Sequence, residues 1–287
     1  MTGETQVAAA VRAPSRKTLL IRTYAGDVEF TALLLRRIGR LNGWGHFSRL
    51  VLYLDDDGLR DVVSGLMPAE IPASFETHVL SDEPGLWARN KPVASWRAYR
   101  AAVRFGDDIV RLDPDLFIAS PAFFVRISVL PEGFAGKVIP FYGPLHFDGR
   151  QVQYIQGGVT CAGPAARRYL ERLPESRVAR FVEGVEAEFT LPAGATGSPP
   201  RHLLIAEDLI LTGPLADEAG VLRQHIAGLQ ASPHEVLRAY RNKTWTAADL
   251  LDSFTKSGAG AYHYEGSHQG RRALMHEMLR WAYAHTG

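Results

Sequence analysis

The sequence predicts an α/β fold, Rossmann-like in its first half: a mixed, mostly parallel sheet flanked by helices, ending in a C-terminal helical segment. Three observations predict it. Two apolar runs of strand length, Thr18–Tyr24 and Leu50–Leu54, bracket a segment whose apolar residues recur at helical spacing. The joints between these segments are short and rich in Gly and Asp. A strand, a helix and a strand joined in this way form a right-handed crossover that lays the two strands parallel.

The elements follow in order. Thr18–Tyr24 (TLLIRTY) carries β-branched and aromatic residues and stops at Ala25-Gly26-Asp27. Asp27 is expected to cap a helix with Phe30, Leu33, Leu34, Ile38 and Leu41 on one face. Leu50–Leu54 ends in Asp55-Asp56-Asp57-Gly58, and a short helix over Leu59–Met67 leads to a strand over Phe75–Leu80. Pro92–Phe105 reads as a helix opened by proline, with Val93, Trp96, Arg100 and Val103 along one side. Ile109–Leu112 is a strand that delivers Asp113-Pro114-Asp115. Residues 17–120 thus read as a doubly wound half of the kind that binds nucleotides beyond the carboxyl ends of its strands.

Residues 121–287 are more mixed and would form a second half that ends in the C-terminal helices. Lys137–Tyr142 and Val152–Cys161 read as strands, and Pro164–Arg172, Val178–Phe189, a segment from Glu207 and Gly270–Ala284 as helices. Pro192–Pro200, rich in Gly, Pro, Ala and Ser, is a loop. No repeat or linker divides the chain, so residues 17–287 are expected to be one domain behind a flexible leader, residues 1–16.

Composition agrees with a single α/β domain. The chain has 287 residues, 46% hydrophobic and 22% charged, enough for one large domain. A net charge of +1 supplies no broad field to gather nucleic acid or anionic lipid, so no nucleic-acid partner is expected. Cys161 is the single cysteine, which excludes an internal disulfide and suits a reducing compartment. Its neighbours Val159, Thr160 and Ala162 make it a packing residue of a buried strand. The first residues lack the apolar core of a secretory signal, and runs such as Thr31–Leu35 are far too short to span a membrane. The expectation is a cytoplasmic protein without a transmembrane segment, with peripheral membrane contact left open and oligomeric state undetermined.

Chemistry concentrates at Asp113-Pro114-Asp115. In extended backbone, residues two apart point to the same face, so both carboxylates can converge on one cation. Pro114 lacks an N–H and biases Asp113 toward extended geometry. Mg²⁺ and Mn²⁺ favour such oxygens together with substrate phosphates. Taken alone, the same triplet also reads as a solvated turn after a buried strand.

The surroundings make it more specific. A helix with Trp96, Tyr99 and Arg100, an apolar strand and then Asp113-Pro114-Asp115 together resemble the D-x-D region of GT-A glycosyltransferases. In that family the aspartates hold the metal and the ribose and diphosphate of a sugar nucleotide. The resemblance implies a metal-dependent hexosyltransferase using Mn²⁺ or Mg²⁺, with a UDP-sugar as the commonest donor and a carbohydrate or other hydroxyl as acceptor. Thr23, Tyr24 and Asp27 look like the family's first nucleotide-contacting turn, although helix capping explains Asp27 as well. Gln156-Gly157-Gly158 is similar to its glycine-bearing acceptor-side strand. Glu207-Asp208 is similar to its acidic pair facing the acceptor, with Asp208 as base and Glu207 orienting a sugar. The alternative is that acidic residues at a helix start simply meet its dipole.

Late in the chain, His263 stands in a His-x-x-Gly. In several GT-A families a late histidine completes the metal's coordination, so His263 joins Asp113 and Asp115 as an expected ligand, against the alternative of a core histidine. Where such families follow with lysine, this chain has only Arg271 or Arg272. Lys91, Arg97 and Arg100 flank the helix before the D-x-D, and one of them would neutralise donor phosphate if it were not a solvated helix face. Asp55 would hold a base or ribose, or cap an acidic turn ended by Gly58. Trp245 would stack on a sugar or pack in the core. The resemblance covers roughly residues 17–270 in short motifs, whose order weighs more than any one of them. In-line attack assisted by Asp208 inverts the anomeric centre, whereas a His-x-x-Gly ending is similar to retaining members, so stereochemistry stays open.

Three other readings compete. A sugar-nucleotide pyrophosphorylase shares the architecture but carries a glycine-rich basic loop after its first strand, where Tyr24-Ala25-Gly26-Asp27 has one glycine and no lysine. A D-x-D phosphatase places the motif after its first strand. A non-catalytic GT-A-like domain would bind a glycan without turnover.

Overall fold

The computed structural model describes residues 16–140, 146–147, 149–188, 207–231, 257–263 and 272–285. The expected leader up to residue 15, the loop Pro192–Pro200, Trp245, Gly266 and Arg271 lie outside them.

Strand β1 (Lys17–Thr23) is buried along its whole length and β2 (Arg49–Leu54) along all but its first residue. Strands covered by helices on both faces require such continuous apolar runs. Between them, α1 (Val28–Arg40) turns Phe30, Leu34 and Ile38 inward. After α2 (Arg60–Leu66), β3 (Glu76–Ser81) pairs parallel with β2. The chain returns through α3 (Leu86–Arg89) and α4 (Lys91–Val103). Asn90 Oδ1 caps α4 by accepting from Val93 N at 3.1 Å, with Pro92 in the first turn. Strand β4 (Asp108–Leu112) then pairs parallel with the free side of β1. The chain therefore reverses its travel across the sheet between β1 and β4, where open α/β sheets leave a crevice at their carboxyl edge.

The second half extends the same sheet. β5 (Leu116–Ile118), α5 (Ala122–Arg126), β6 (Phe134–Pro140), the short pair β7 (His146–Phe147) and β8 (Arg150–Gln151), and β9 (Gln153–Ala162) follow. β9 lies antiparallel between β4 and β6, and β10 (Arg223–His225) closes the edge parallel to β6. The order is β3-β2-β1-β4-β9-β6-β10, seven strands with one member reversed. On one face, α4 packs with α6 (Pro164–Arg172), α7 (Glu175–Glu188), α8 (Glu207–Thr212) and α9 (Pro214–Glu218). On the other, α1, α2 and α5 cover Leu19, Ile21, Leu52 and Val110.

A second, three-stranded sheet has no counterpart among the expected elements. β12 (Ala261–His263) runs antiparallel to β5 and parallel to β11 (Gln230–Ala231). Strands of two or three residues are too short to show a periodicity. The helix α10 (Arg272–His285) seals this sheet, with Phe30, Phe117, Tyr262, Met278 and Tyr283 forming a small core of their own. Tyr283 donates its hydroxyl to Leu116 O at 2.8 Å and meets the Phe117 ring edge-on at 5.3 Å. Such an aromatic pair adds about 0.5–1.5 kcal/mol beyond its buried area.

Two details refine the sequence reading. Cys161 is fully buried in β9, and burial pushes its thiol up to about 12, as befits a packing residue. Asp27, expected as a helix cap, makes no side-chain cap hydrogen bond. A single 3₁₀ turn, Ala25–Asp27, sets its backbone at φ −122°, ψ 4°, and its buried carboxylate faces His276 Nε2 on α10 at 3.6 Å. No helix among the described residues is long and apolar enough to cross a membrane.

Candidate active site

β4 hands the chain to Asp113 at the carboxyl edge of the sheet, beside the point where β1 ends. Asp113, Asp115 and His263 each bring a ligand atom to within 4.8 Å of the others. His263 Nε2 lies 3.2 Å from Asp115 Oδ1 and 3.6 Å from Asp113 Oδ2. The pairing of β12 with β5 sets this distance, because His263 sits directly across from Leu116, the residue after Asp115. Three groups separated widely in sequence thus meet at one point. Such a set can hold a divalent cation.

Asp113 is fixed from two further sides. Arg111 Nη2 donates to its Oδ1 at 2.7 Å, and Gly158 N donates to its Oδ2 at 2.7 Å. Asp113 N in turn donates to Gly158 O at 2.9 Å. Burial opposes ionisation of Asp113, but the Arg111 guanidinium, His263 and the Gly158 N–H outweigh it and hold the carboxyl below the usual range. Gly158 adopts φ 102°, which side-chain-bearing residues rarely take. A Cβ there would stand 2.8 Å from His263 Cγ and 2.6 Å from Gln230 Oε1. The glycine is what allows β9 to pass this close to β12.

Other expected donor contacts have a different standing. Thr23 Oγ1 lies 2.8 Å from Thr31 Oγ1, a bond that ties β1 to α1 rather than opening into the crevice. Tyr24 is half-buried in the turn that follows. Asp55 N donates to Thr23 O at 3.0 Å, which brings the ends of β1 and β2 together, and the Asp55 carboxylate pairs with the buried Arg22. Burial raises the Asp55 carboxyl despite Arg22. Lys91 is exposed at the start of α4. Gly157 lies in β9 with its carbonyl accepting from Gln230 Nε2 at 2.7 Å. Glu207 and Asp208 open α8 as expected, although their side chains fall outside the described residues.

Arg97 is held by carboxylates. Its guanidinium meets Glu175 twice, at 2.7 and 3.1 Å, and Asp82 and Glu83 at 2.9 Å each. These carboxylates raise its pKa. Arg100 likewise stacks over Trp96 at 5.6 Å and donates to Glu171 O. Arg97→Met should lower stability by about 1–3 kcal/mol, because the buried Asp82 loses its cation. Urea unfolding will measure that loss, and manganese affinity of the same variant should stay at the wild-type value.

Two residues of the site carry no sequence-level role. Arg111 had a visible signal: a charge inside an apolar strand must find a partner when buried. Gln230 had none, because its contact with β9 depends on the small sheet.

The sheet order with β9 reversed, and a carboxylate pair at the end of β4, define a GT-A fold bearing a D-x-D motif. Solved structures carry the same fold. The galactosyltransferase LgtC, crystallised with donor and acceptor sugar analogs, matches with a TM-score of 0.51 and 11% identity over 93% of this chain and 95% of that one. Mouse xyloside xylosyltransferase 1 matches at 0.45 and 13% identity, over 87% of this chain and 98% of that one. The inositol-1-phosphate CTP transferase of T. maritima, a nucleotidyltransferase, matches at 0.41 and 9%, over 75% and 86%. The two weaker likenesses add nothing to the assignment, and at 11% identity the first establishes the fold. No protein-family model and no curated protein matches the sequence.

Proposed function

We propose that the chain is a metal-dependent glycosyltransferase moving a sugar from a nucleoside diphosphate, most commonly UDP, to an acceptor hydroxyl. The observation that supports it most is the convergence of Asp113, Asp115 and His263 at the crevice between β1 and β4. The donor set fits the requirement: two carboxylates suit a hard divalent ion, and an added imidazole suits Mn²⁺ better than Mg²⁺. When bound, such an ion supplies Lewis-acid stabilisation of the charge that grows on the departing diphosphate.

The chain's own residues supply the rest of this reading. Asp113, kept ionised by Arg111 and by the Gly158 N–H, is a fixed carboxylate that needs no reorganisation when a donor arrives. The Tyr24 turn and Asp55 take the nucleoside end, and Lys91, exposed at the start of α4, takes a donor phosphate. Asp208 takes the proton from the acceptor hydroxyl and Glu207 orients a sugar. α8, which they open, packs with β9 and α4. We place this activity in the cytoplasm, where a lone thiol such as Cys161 stays reduced, with any membrane contact peripheral.

A panel of UDP- and GDP-sugars with Mn²⁺ tests it. The expected outcome is slow, metal-dependent release of UDP or GDP from one donor. Release of pyrophosphate from a nucleoside triphosphate and a sugar phosphate would instead make the chain a nucleotidyltransferase. Thermal stabilisation by nucleotide and metal with no turnover would leave a binding domain.

A further inference from the structure

Gln230 lies on β11, one strand away from His263 and outside the set of candidate ligands. Its side chain is buried and reaches across to the Gly157-Gly158 bend of β9, where Nε2 donates to Gly157 O at 2.7 Å and to Gln156 O at 3.4 Å. Two carbonyl oxygens can be met only by the NH₂ end, which fixes the orientation of the amide. That leaves Oε1 buried without a hydrogen-bond partner, pressed against Gly158. An apolar side chain of the same length would fill the same space but leave Gly157 O without this donor.

The connections explain the residue. Gly158 N donates to Asp113 Oδ2, and β11 pairs with β12, which ends in His263. Gln230 is therefore the side chain that ties the strand holding Asp113 to the sheet delivering His263. We infer that Gln230 is a positioning residue for the metal centre: its amide sets the spacing between the Asp113 and His263 ligands by clamping β9 to β11. This rests on the reading of Asp113, Asp115 and His263 as a cation site. Groups behind a ligand set commonly tune affinity by about 10–100-fold, because they hold ligand geometry that the ion alone does not enforce.

The test is manganese binding to the full-length protein, measured by titration with the free-ion electron-spin signal, for wild type, Gln230→Met and Asp115→Ala. The Met variant keeps length and volume while removing the amide. Its manganese Kd is expected to rise about 10-fold, with a matching rise in the donor KM and a smaller change in kcat. Gln230→Asn, whose shorter amide keeps a donor, should recover part of that affinity, and it carries the test if the Met variant does not fold. A melting temperature that drops while the Kd of the folded variants stays at the wild-type value would overturn the inference, because that is what a purely structural glutamine does. If wild type itself fails to bind manganese, or Asp115→Ala binds as wild type does, the cation-site reading falls and takes this one with it. If those two behave as expected and both Gln230 variants bind normally, only the positioning role is lost.

Discussion

Asp115→Ala is expected to reduce metal-dependent donor turnover by on the order of 100-fold or more, and to abolish the metal dependence of nucleotide binding. The metal-free protein should melt close to the wild-type temperature. The two halves of that expectation come from one observation. Asp115 is partly exposed and faces the buried His263 at 3.2 Å, and His263 keeps Asp113 at 3.6 Å, so removing Asp115 leaves no buried charge without a partner. As a ligand, by contrast, the same carboxylate is one group of a set of three, and among the described residues no further acid belongs to that set. Donor hydrolysis and calorimetric melting, each with and without Mn²⁺, measure both quantities. Turnover that survives with its metal dependence intact would move the centre away from β4.

Arg111→Met should act in the opposite way, on folding first. The guanidinium is 3% exposed and forms its ion pair with Asp113 at 2.7 Å. Removing one partner of a buried pair leaves the other charge uncompensated, at about 3–5 kcal/mol. The sign with pH follows from Asp113. In the wild type its carboxyl is held below its ordinary value of 3.8, so its contribution is present above that pH and is lost as pH falls through the lower folded value. Without Arg111, the folded carboxyl moves up from its wild-type position, because burial still opposes its charge. The deficit of the variant should then be greatest at neutral pH and shrink as pH falls below about 4, where the variant's Asp113 takes up its proton first and the wild type then loses the contribution of its lowered carboxyl. Urea unfolding in chelator at pH 7 and pH 3.5 tests this. A deficit that is equal at the two values would mean that Arg111 acts through packing over Tyr99, whose ring it faces at 5.8 Å, and not through charge.

Much of the fold is legible in the sequence because its central strands are covered on both faces. β1, β2 and β4 read as apolar runs, with Arg22 and Arg111 as charges inside β1 and β4, and α1 and α4 show helical spacing, so the parallel half follows from pattern alone. The D-x-D was legible for a related reason: a strand that ends in acidic residues exposes them at the sheet's carboxyl edge. What pattern does not carry is pairing between distant short segments. β5, β11 and β12 are two or three residues long, so the meeting of His263 with Asp115 followed from family resemblance, while the role of Gln230 had no signal. Single-residue chemistry does not show that Arg97, a cation before a phosphate-type motif, pairs with Asp82, Glu83 and Glu175. It misled at Asp27, whose carboxylate turns to α10 instead of capping α1. In both cases the partner lies far along the chain.

The pairing of β12 with β5 has a consequence for how the protein comes into being. Asp113 and Asp115 leave the ribosome long before His263 does, and bringing the ends of so long a loop together is among the slower steps available to a chain. β1 to β4 can assemble while synthesis continues, since they pair mostly with near neighbours. Nascent chains arrested before Tyr262 should accordingly take up little manganese, and tight capture should begin only when β12 has emerged and docked on β5.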